Sequence, residues 1–328
     1  MNACLVNKFF LLIFVITYLF LGSCAYAENI NKAYTNKVAI FYPQAKEPYN
    51  SIYQNIIAGS IEAANKNNQT INIEKFILNK NFNADDIAQK LEQKHINKVI
   101  VLGRSGWKLA KQLSKFTLNN QTKKFQVVSG ALPINPNGVS GISLIADPAY
   151  LFDYLQQVAP SVEKIHVAYS KKSAWLIALA KSAAQAKGLT LNLQQVSDTA
   201  QAVSFYQRLF TSGVSNKDAI WLPFDRIASH DKITLPLILE KAWAKEVVVF
   251  SSKPSHAKRG ALFSTYPDNF ALGSRLFKMV QELAQQPEQK NFAALKSTLL
   301  AVNLRTAAHL GLKYSSEQQQ LFKLTFPQ

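Results

Sequence analysis

Cysteine is almost missing from this chain of 328 residues: Cys4 and Cys24 are the only two, and both lie near its start. A thiol nucleophile, a cysteine-ligated metal and a redox pair are therefore excluded from everything beyond Cys24. A body of roughly 300 residues without disulfides has to be held by a proper hydrophobic core, which a chain of that length can supply. Arginine is also scarce. Of 37 cationic residues only 6 are Arg, and the 31 Lys are scattered singly or in pairs. The net charge of +17 would suit a nucleic-acid partner, but such readers favour Arg forks and clustered patches, so nucleic acid is not expected and the lysines read as a solvated surface. Disorder is excluded as well, because charge at 17% and aromatics at 11% describe a globular composition.

Chemical signatures are missing too. No Walker loop and no dinucleotide fingerprint is present, so no nucleotide cofactor is indicated, and no other cofactor is called for. The histidines His95, His166, His230, His256 and His309 show no spacing that sets two on one helical face, and no metal site is expected. Gly103-Arg104-Ser105-Gly106 approaches a nucleophile elbow, but that motif needs glycine where the chain has Trp107.

What is present begins with an address. Lys8 precedes an apolar run of 13 residues, Phe9 to Leu21, short of the roughly 20 that span a bilayer. It reads as the core of a signal peptide covering residues 1–27. Ala25-Tyr26-Ala27 offers cleavage before Glu28, whereas Leu21-Gly22-Ser23-Cys24 offers a lipobox with Cys24 as the lipidated residue. Both place the protein in the periplasm, soluble in one case and lipid-anchored in the other.

From residue 37, short Val- and Ile-rich runs alternate with amphipathic segments. Lys37–Tyr42, Ile71–Leu78, Lys98–Leu102, Phe125–Val128 and Gly141–Leu144 read as strands. Between the first two, Ile52, Ile56, Ile57, Ile61 and Ala64 recur at helical spacing. Asn83 caps another helix, with Asp85 and Asp86 in its first turn, and the Gly103–Gly106 loop leads into a helix through Leu113. The pattern restarts after Asp147-Pro148, a cap followed by proline at the first helical position. Strands then fall at Lys164–Tyr169, Leu189–Val196, Ala219–Leu222 and Val247–Phe250, with a helix from Ser173 to Lys187 ended by Gly188. Strands alternating with helices imply parallel sheets wound on both faces, and two such series imply an α/β protein of two doubly wound lobes.

Ligands of such sheets bind outside the carboxyl ends of the strands. The segments there supply Tyr49, Arg104, Ser105, Gly106, Ala131, Ser170, Trp175, Asp225 and Ser251 as candidate ligand-binding residues, the ingredients of a small-molecule pocket. Each has a plainer competitor. Trp107 and Trp175 also fit a core, Asp225 fits a turn or helix cap, and Arg104 and Ser105 fit the solvated start of a helix that would equally suit an anion.

The order of several pieces carries a resemblance: Ile220-Trp221-Leu222-Pro223-Phe224-Asp225, Lys241-Ala242-Trp243, the strand Val247 to Ser251, Arg259-Gly260-Ala261-Leu262, Tyr266-Pro267-Asp268 ahead of Leu272-Gly273, and Val302-Asn303-Leu304-Arg305-Thr306-Ala307 leading to Leu310-Gly311-Leu312. Over about 38–327 the chain resembles the substrate-binding proteins of ABC-type transporters, of the type I periplasmic-binding fold, and within them the tryptophan- and tyrosine-binding branch. The chain departs from their pattern at Pro223-Phe224-Asp225-Arg226, where threonine-aspartate-asparagine is usual, and at Gln286-Pro287-Glu288, where glycine-lysine-proline is usual. The resemblance implies two lobes joined by a hinge around a ligand cleft. Lobe one is expected over 37–145, with 261–290 crossing back, and lobe two over 146–260, with 291–328 near the hinge. It implies a monomer without catalysis that takes a small amino-acid-like ligand to an ABC permease, with Asp225 on the ammonium, Ser105 and the amides after it on the carboxylate, and Tyr49 or Trp175 over the side chain. The rival readings are an accessory sensor for a membrane signalling partner and an enzyme using Asp225 as general base.

Overall fold

The computed structural model describes residues 37–66, 71–118, 121, 122, 125–136, 138–286 and 291–327. The signal segment, Cys24 and the Pro287-Glu288 departure lie outside the described residues.

Lobe one is built on a sheet of β1 (Lys37–Pro43), β2 (Asn72–Leu78), β3 (Lys98–Leu102), β4 (Gln126–Leu132), β5 (Ser140–Ala146) and a late strand, Phe292–Leu295. All of its pairings are parallel, with β3 and β1 at the centre and Phe292–Leu295 beyond β5. The β3 residues Val99, Ile100, Val101 and Leu102 are fully buried, as a strand covered on both faces requires. The covering helices are α1 (Tyr49–Asn65), α2 (Ala84–Gln93) and α3 (Gly103–Leu113). Asn83 accepts from the Asp85 amide and thereby starts α2 as the sequence predicts.

Lobe two repeats the plan with α4 (Pro148–Val158), β6 (Lys164–Tyr169), α5 (Ala174–Ala186), β7 (Thr190–Gln195), α6 (Thr199–Ser212), β8 (Asp218–Leu222), α7 (Thr234–Ala244), β9 (Val248–Ser251), α8 (Pro254–Lys258) and β10 (Phe263–Pro267). The chain then returns to lobe one as α9 (Asn269–Gln285) and β11 (Phe292–Leu295). It ends in lobe two with β12 (Thr298–Asn303), α10 (Leu304–His309), α11 (Ser316–Gln320) and β13 (Phe322–Phe326). The seven-stranded sheet runs β13-β12-β10-β9-β8-β6-β7.

Three expectations change. Residues 263–267 belong to lobe two, because Phe263 is fully buried and stacks on Phe250 at 5.2 Å inside that lobe's core; only the helix after it crosses back. Most of 291–328 is likewise a working part of lobe two, supplying two of its strands. The sheet is also not wholly parallel, since β12 runs antiparallel to β10. The reason is connectivity: β10 ends at the hinge and β12 starts there, so neighbours at the same edge must run in opposite directions.

The return helix α9 is fixed to α1 by backbone contact. A Cβ on Gly273 would lie 1.9 Å from the Ile56 carbonyl oxygen, and one on Gly59 would lie 1.9 Å from that of Phe270. The close approach lets Ser60 Oγ donate to the Gly273 carbonyl at 3.0 Å and Ser274 Oγ to that of Gly59 at 2.9 Å. Gly273→Ala is expected to lower stability by about 2–3 kcal/mol, the upper part of the range for overpacking a close-packed contact. Urea denaturation checks this, and a midpoint unchanged from the parent would show that α9 can move away at no cost.

Candidate functional site

Three segments cross between the lobes: Ala146 to Pro148, Pro267 to Asn269 and Leu295 to Thr298. They are tied together, with the Asp147 amide on the Leu295 carbonyl at 2.8 Å, the Asp268 amide on that of Ser297 at 3.0 Å, and Tyr154 Oη on that of Thr298 at 2.9 Å. Asp147 and Asp268 also cap α4 and α9. Two of the crossings leave from carboxyl ends, β5 of lobe one and β10 of lobe two. Because β1, β3 and β4 run parallel to β5, and β6, β8 and β9 parallel to β10, the carboxyl edges of the two sheets face each other across the hinge. That edge is where open α/β sheets bind ligands.

On the lobe-one side, β3 passes into α3 without a loop. Gly103 makes the turn at φ +71°, and a Cβ there would come 2.7 Å from Tyr53 Oη, so the expected loop Gly103–Gly106 is instead the first turn of a helix. Arg104 is exposed, Ser105 half-buried and Gly106 buried. No side chain caps this helix, which leaves its first amides and the positive end of its dipole for an anionic group. Tyr49 opens α1 and is 63% exposed, at the rim. Ala131 sits in a bulge near the end of β4, at φ +58°, a conformation that costs a non-glycine residue free energy.

On the lobe-two side, Asp225 is only 4% exposed and its carboxylate is occupied. Oδ2 accepts from the Ser170 amide at 2.8 Å and from Ser173 Oγ at 2.7 Å, while Oδ1 accepts from the amides of Ile227 at 2.8 Å and Ala228 at 3.1 Å. A carboxylate offers about four lone-pair sites, so these four donors leave none for a ligand ammonium. Burial pushes this carboxyl up, but the hydrogen bonds from Ser170, Ser173 and Ala228 outweigh it and hold it below the usual carboxylate range. Asp225 thus joins the loop after β6 to the turn after β8, and the residue that this turn carries next is Arg226.

Trp175 is drawn into the hinge. Its Nε1 donates to Asn135 Oδ1 at 3.0 Å and its ring meets Phe292 edge-on at 5.8 Å, while Asn135 Nδ2 donates to the Lys172 carbonyl at 2.8 Å. Trp107 packs half-buried against the outer core of lobe one. Ser251 is fully buried. Its Oγ lies 2.8 Å from His256 Nδ1, and His256 Nε2 lies 2.9 Å from Asp231 Oδ1. This chain has the composition of a hydrolase triad but the wrong access: the hydroxyl is enclosed, lies 3.1 Å from the Leu222 carbonyl, and accepts the Lys253 amide at 3.0 Å, while the carboxylate faces solvent. Burial keeps the His256 imidazole below its ordinary pKa despite Asp231. Asp231 is held at about 2: burial raises it, but hydrogen bonds from His256 and Lys253 prevail.

Beside Asp225, a cavity of about 650 Å³ opens at the carboxyl ends of β8 and β9, walled by Phe224, Arg226, Ser229, Asp231, Lys232 and Lys253 among others. Sequence reasoning passed over Lys253 and treated Arg226 only as a departure. A signal existed for the latter, since one of only six arginines directly follows the Asp225 motif. Lys253 had none, because its partners Asp231 and Ser229 stand more than 20 residues away in sequence. Among the described residues, no group of three His, Cys, Asp or Glu is placed to hold a metal, and no helix is long and apolar enough to cross a membrane.

The profile of the ABC transporter substrate-binding proteins matches residues 127–322. No curated protein matches the sequence significantly. Among solved structures, a ligand-free, open substrate-binding protein with adhesive properties from Clostridium difficile superposes with a TM-score of 0.56 at 16% identity, covering 86% of this chain and 97% of its own; it supports the two-lobed fold. An ABC domain from Streptococcus pneumonia in complex with L-Trp aligns over 88% of this chain and 99% of its own, at 18% identity and a TM-score of 0.48. A conserved domain protein from Vibrio cholerae aligns over 89% and 99%, at 18% identity and a TM-score of 0.47.

Proposed function

The chain belongs to the ABC transporter substrate-binding proteins, and from that membership we propose that it is an exported monomer that captures a small amino-acid-like ligand between its lobes and presents it to an ABC permease in the inner membrane. The observation that carries this reading is the pair of facing carboxyl edges joined by three hinge segments. The ligand carboxylate is received by the first turn of α3, at Arg104 and Ser105. Asp225 serves by fixing the opposite wall. The ligand leaves unchanged: a general base at Asp225 would need a free oxygen, and the Ser251 hydroxyl is enclosed.

Contacts drawn from both lobes favour the closed state, so ligand shifts the population toward it. Thermal-shift screening of amino acids and organic acids is expected to find a ligand that stabilises by about 2.7 kcal/mol at a hundredfold excess over Kd. Small-angle scattering with that ligand is expected to show a smaller radius of gyration. A ligand that raises the melting temperature while the radius stays constant at saturation would contradict capture between the lobes.

A further inference from the structure

We propose that the lobe-two cavity is an anion-binding basin, so that the ligand of this cleft is a small molecule with a second acid group, carboxylate or phosphate, beyond the one received at α3. This rests on the reading of the cleft as the ligand site and adds the chemical class of the ligand.

Charge is the first observation. Arg226, Lys232 and Lys253 line the cavity against a single carboxylate, Asp231. That carboxylate is already shared, lying 2.9 Å from both Lys253 Nζ and His256 Nε2. Arg226 and Lys232 form no ion pair among the described residues. The basin therefore carries an excess of positive charge next to the half-buried ring of Phe224.

Preorganisation is the second observation. The Lys253 side chain is only 12% exposed, its ammonium lies 5.7 Å from the centre of the Phe224 ring, and its amide donates to buried Ser251. The four hydrogen bonds to Asp225 set the turn that presents Arg226. In the wall, Ser229 is fully buried and its hydroxyl finds no hydrogen-bond partner among the described residues. A planar guanidinium fork and a fixed ammonium recognise carboxylate and phosphate oxygens. An apolar side chain would leave the Arg226 guanidinium without an anionic partner and the excess positive charge of the basin uncompensated when the lobes close, which is how a polar site rejects the wrong ligand.

The test is calorimetric titration of the whole protein with succinate, L-glutamate and O-phospho-L-serine, compared with acetate, L-leucine and L-tryptophan. One of the two-acid probes is expected to bind at least about 100-fold more tightly than the single-acid ones. Arg226→Gln and Lys253→Gln are each expected to weaken it about tenfold or more, as loss of a charge-assisted hydrogen bond does, with circular-dichroism melting confirming that both variants fold. If L-leucine or L-tryptophan binds most tightly and Arg226→Gln leaves its Kd unchanged, the basin is refuted while capture in the cleft stands. A two-acid probe that binds both variants as it binds the parent also refutes the basin. If no probe binds and none reduces the radius of gyration, this inference and the proposed function fall together.

Discussion

Replacing Trp221 with alanine is expected to cost about 4 kcal/mol of lobe-two stability, the middle of the range for truncating a buried aromatic side chain. Trp221 lies in the interior strand β8 and is fully buried. Its indole meets Phe152 edge-on at 5.6 Å, Phe152 meets Phe250 at 6.3 Å, and Phe250 stacks on Phe263 at 5.2 Å. Removing it opens a cavity at one end of an aromatic chain that links α4, β8, β9 and β10, and interiors packed like crystals collapse only in part around such a void. A second consequence is local. Trp221 Nε1 donates to Ser252 Oγ at 3.2 Å, and Ser252 is followed directly by Lys253. Trp221→Phe fills most of the space but lacks the donor, so it is expected to lose about 1–2 kcal/mol and to loosen the loop carrying Lys253. Guanidinium denaturation, followed by far-ultraviolet circular dichroism because the variants lose a fluorophore, measures both. An alanine variant within about 1 kcal/mol of the parent would mean that the lobe repacks freely around β8.

The strands and helices were legible because their determinants are local. A fully buried strand such as Lys98–Leu102 announces itself by an unbroken Val-Ile-Leu run; Asp147-Pro148 and Gly188 mark helix ends by cap chemistry. The carboxyl-edge rule then placed Arg104 and Ser105 of lobe one and Asp225 of lobe two near the cleft. What sequence could not give was partnership at a distance. Asp225 reads alike as an anchor and as a clamp until the Ser170 amide and the Ser173 hydroxyl, more than 50 residues earlier, are seen to fill its Oδ2. Trp175 reads as a ligand cover until Asn135 and Phe292 claim it. The C-terminal strands escaped for another reason. Edge strands such as Phe292–Leu295 and Phe322–Phe326 are only four and five residues long, too short for an alternation to stand out, and their direction follows from where the chain re-enters each lobe, which no periodicity records.

Asp225→Asn is expected to cost about 3 kcal/mol at neutral pH, because the amide nitrogen that replaces one oxygen turns two of the four donors into unfavourable contacts in a site only 4% exposed. The pH dependence has a definite sign. The folded carboxyl is held below its ordinary value, so the unfolded chain binds the proton first on acidification. The stability due to the carboxylate is therefore fully present above the ordinary value of about 3.8 and is lost as pH falls through the depressed folded value. Parent and variant are expected to differ most at pH 7 and to converge below about pH 4, as urea titrations across that range can show. A ligand pair separates clamp from ammonium anchor: L-glutamate and glutarate, which differ only by the amine. If Asp225 acts through the loops it joins, Asp225→Asn weakens both by the same factor, since what is lost is the placement of Arg226 and of the Ser170–Ser173 loop. A loss confined to L-glutamate, with stability unchanged, would return Asp225 to the role of ammonium partner.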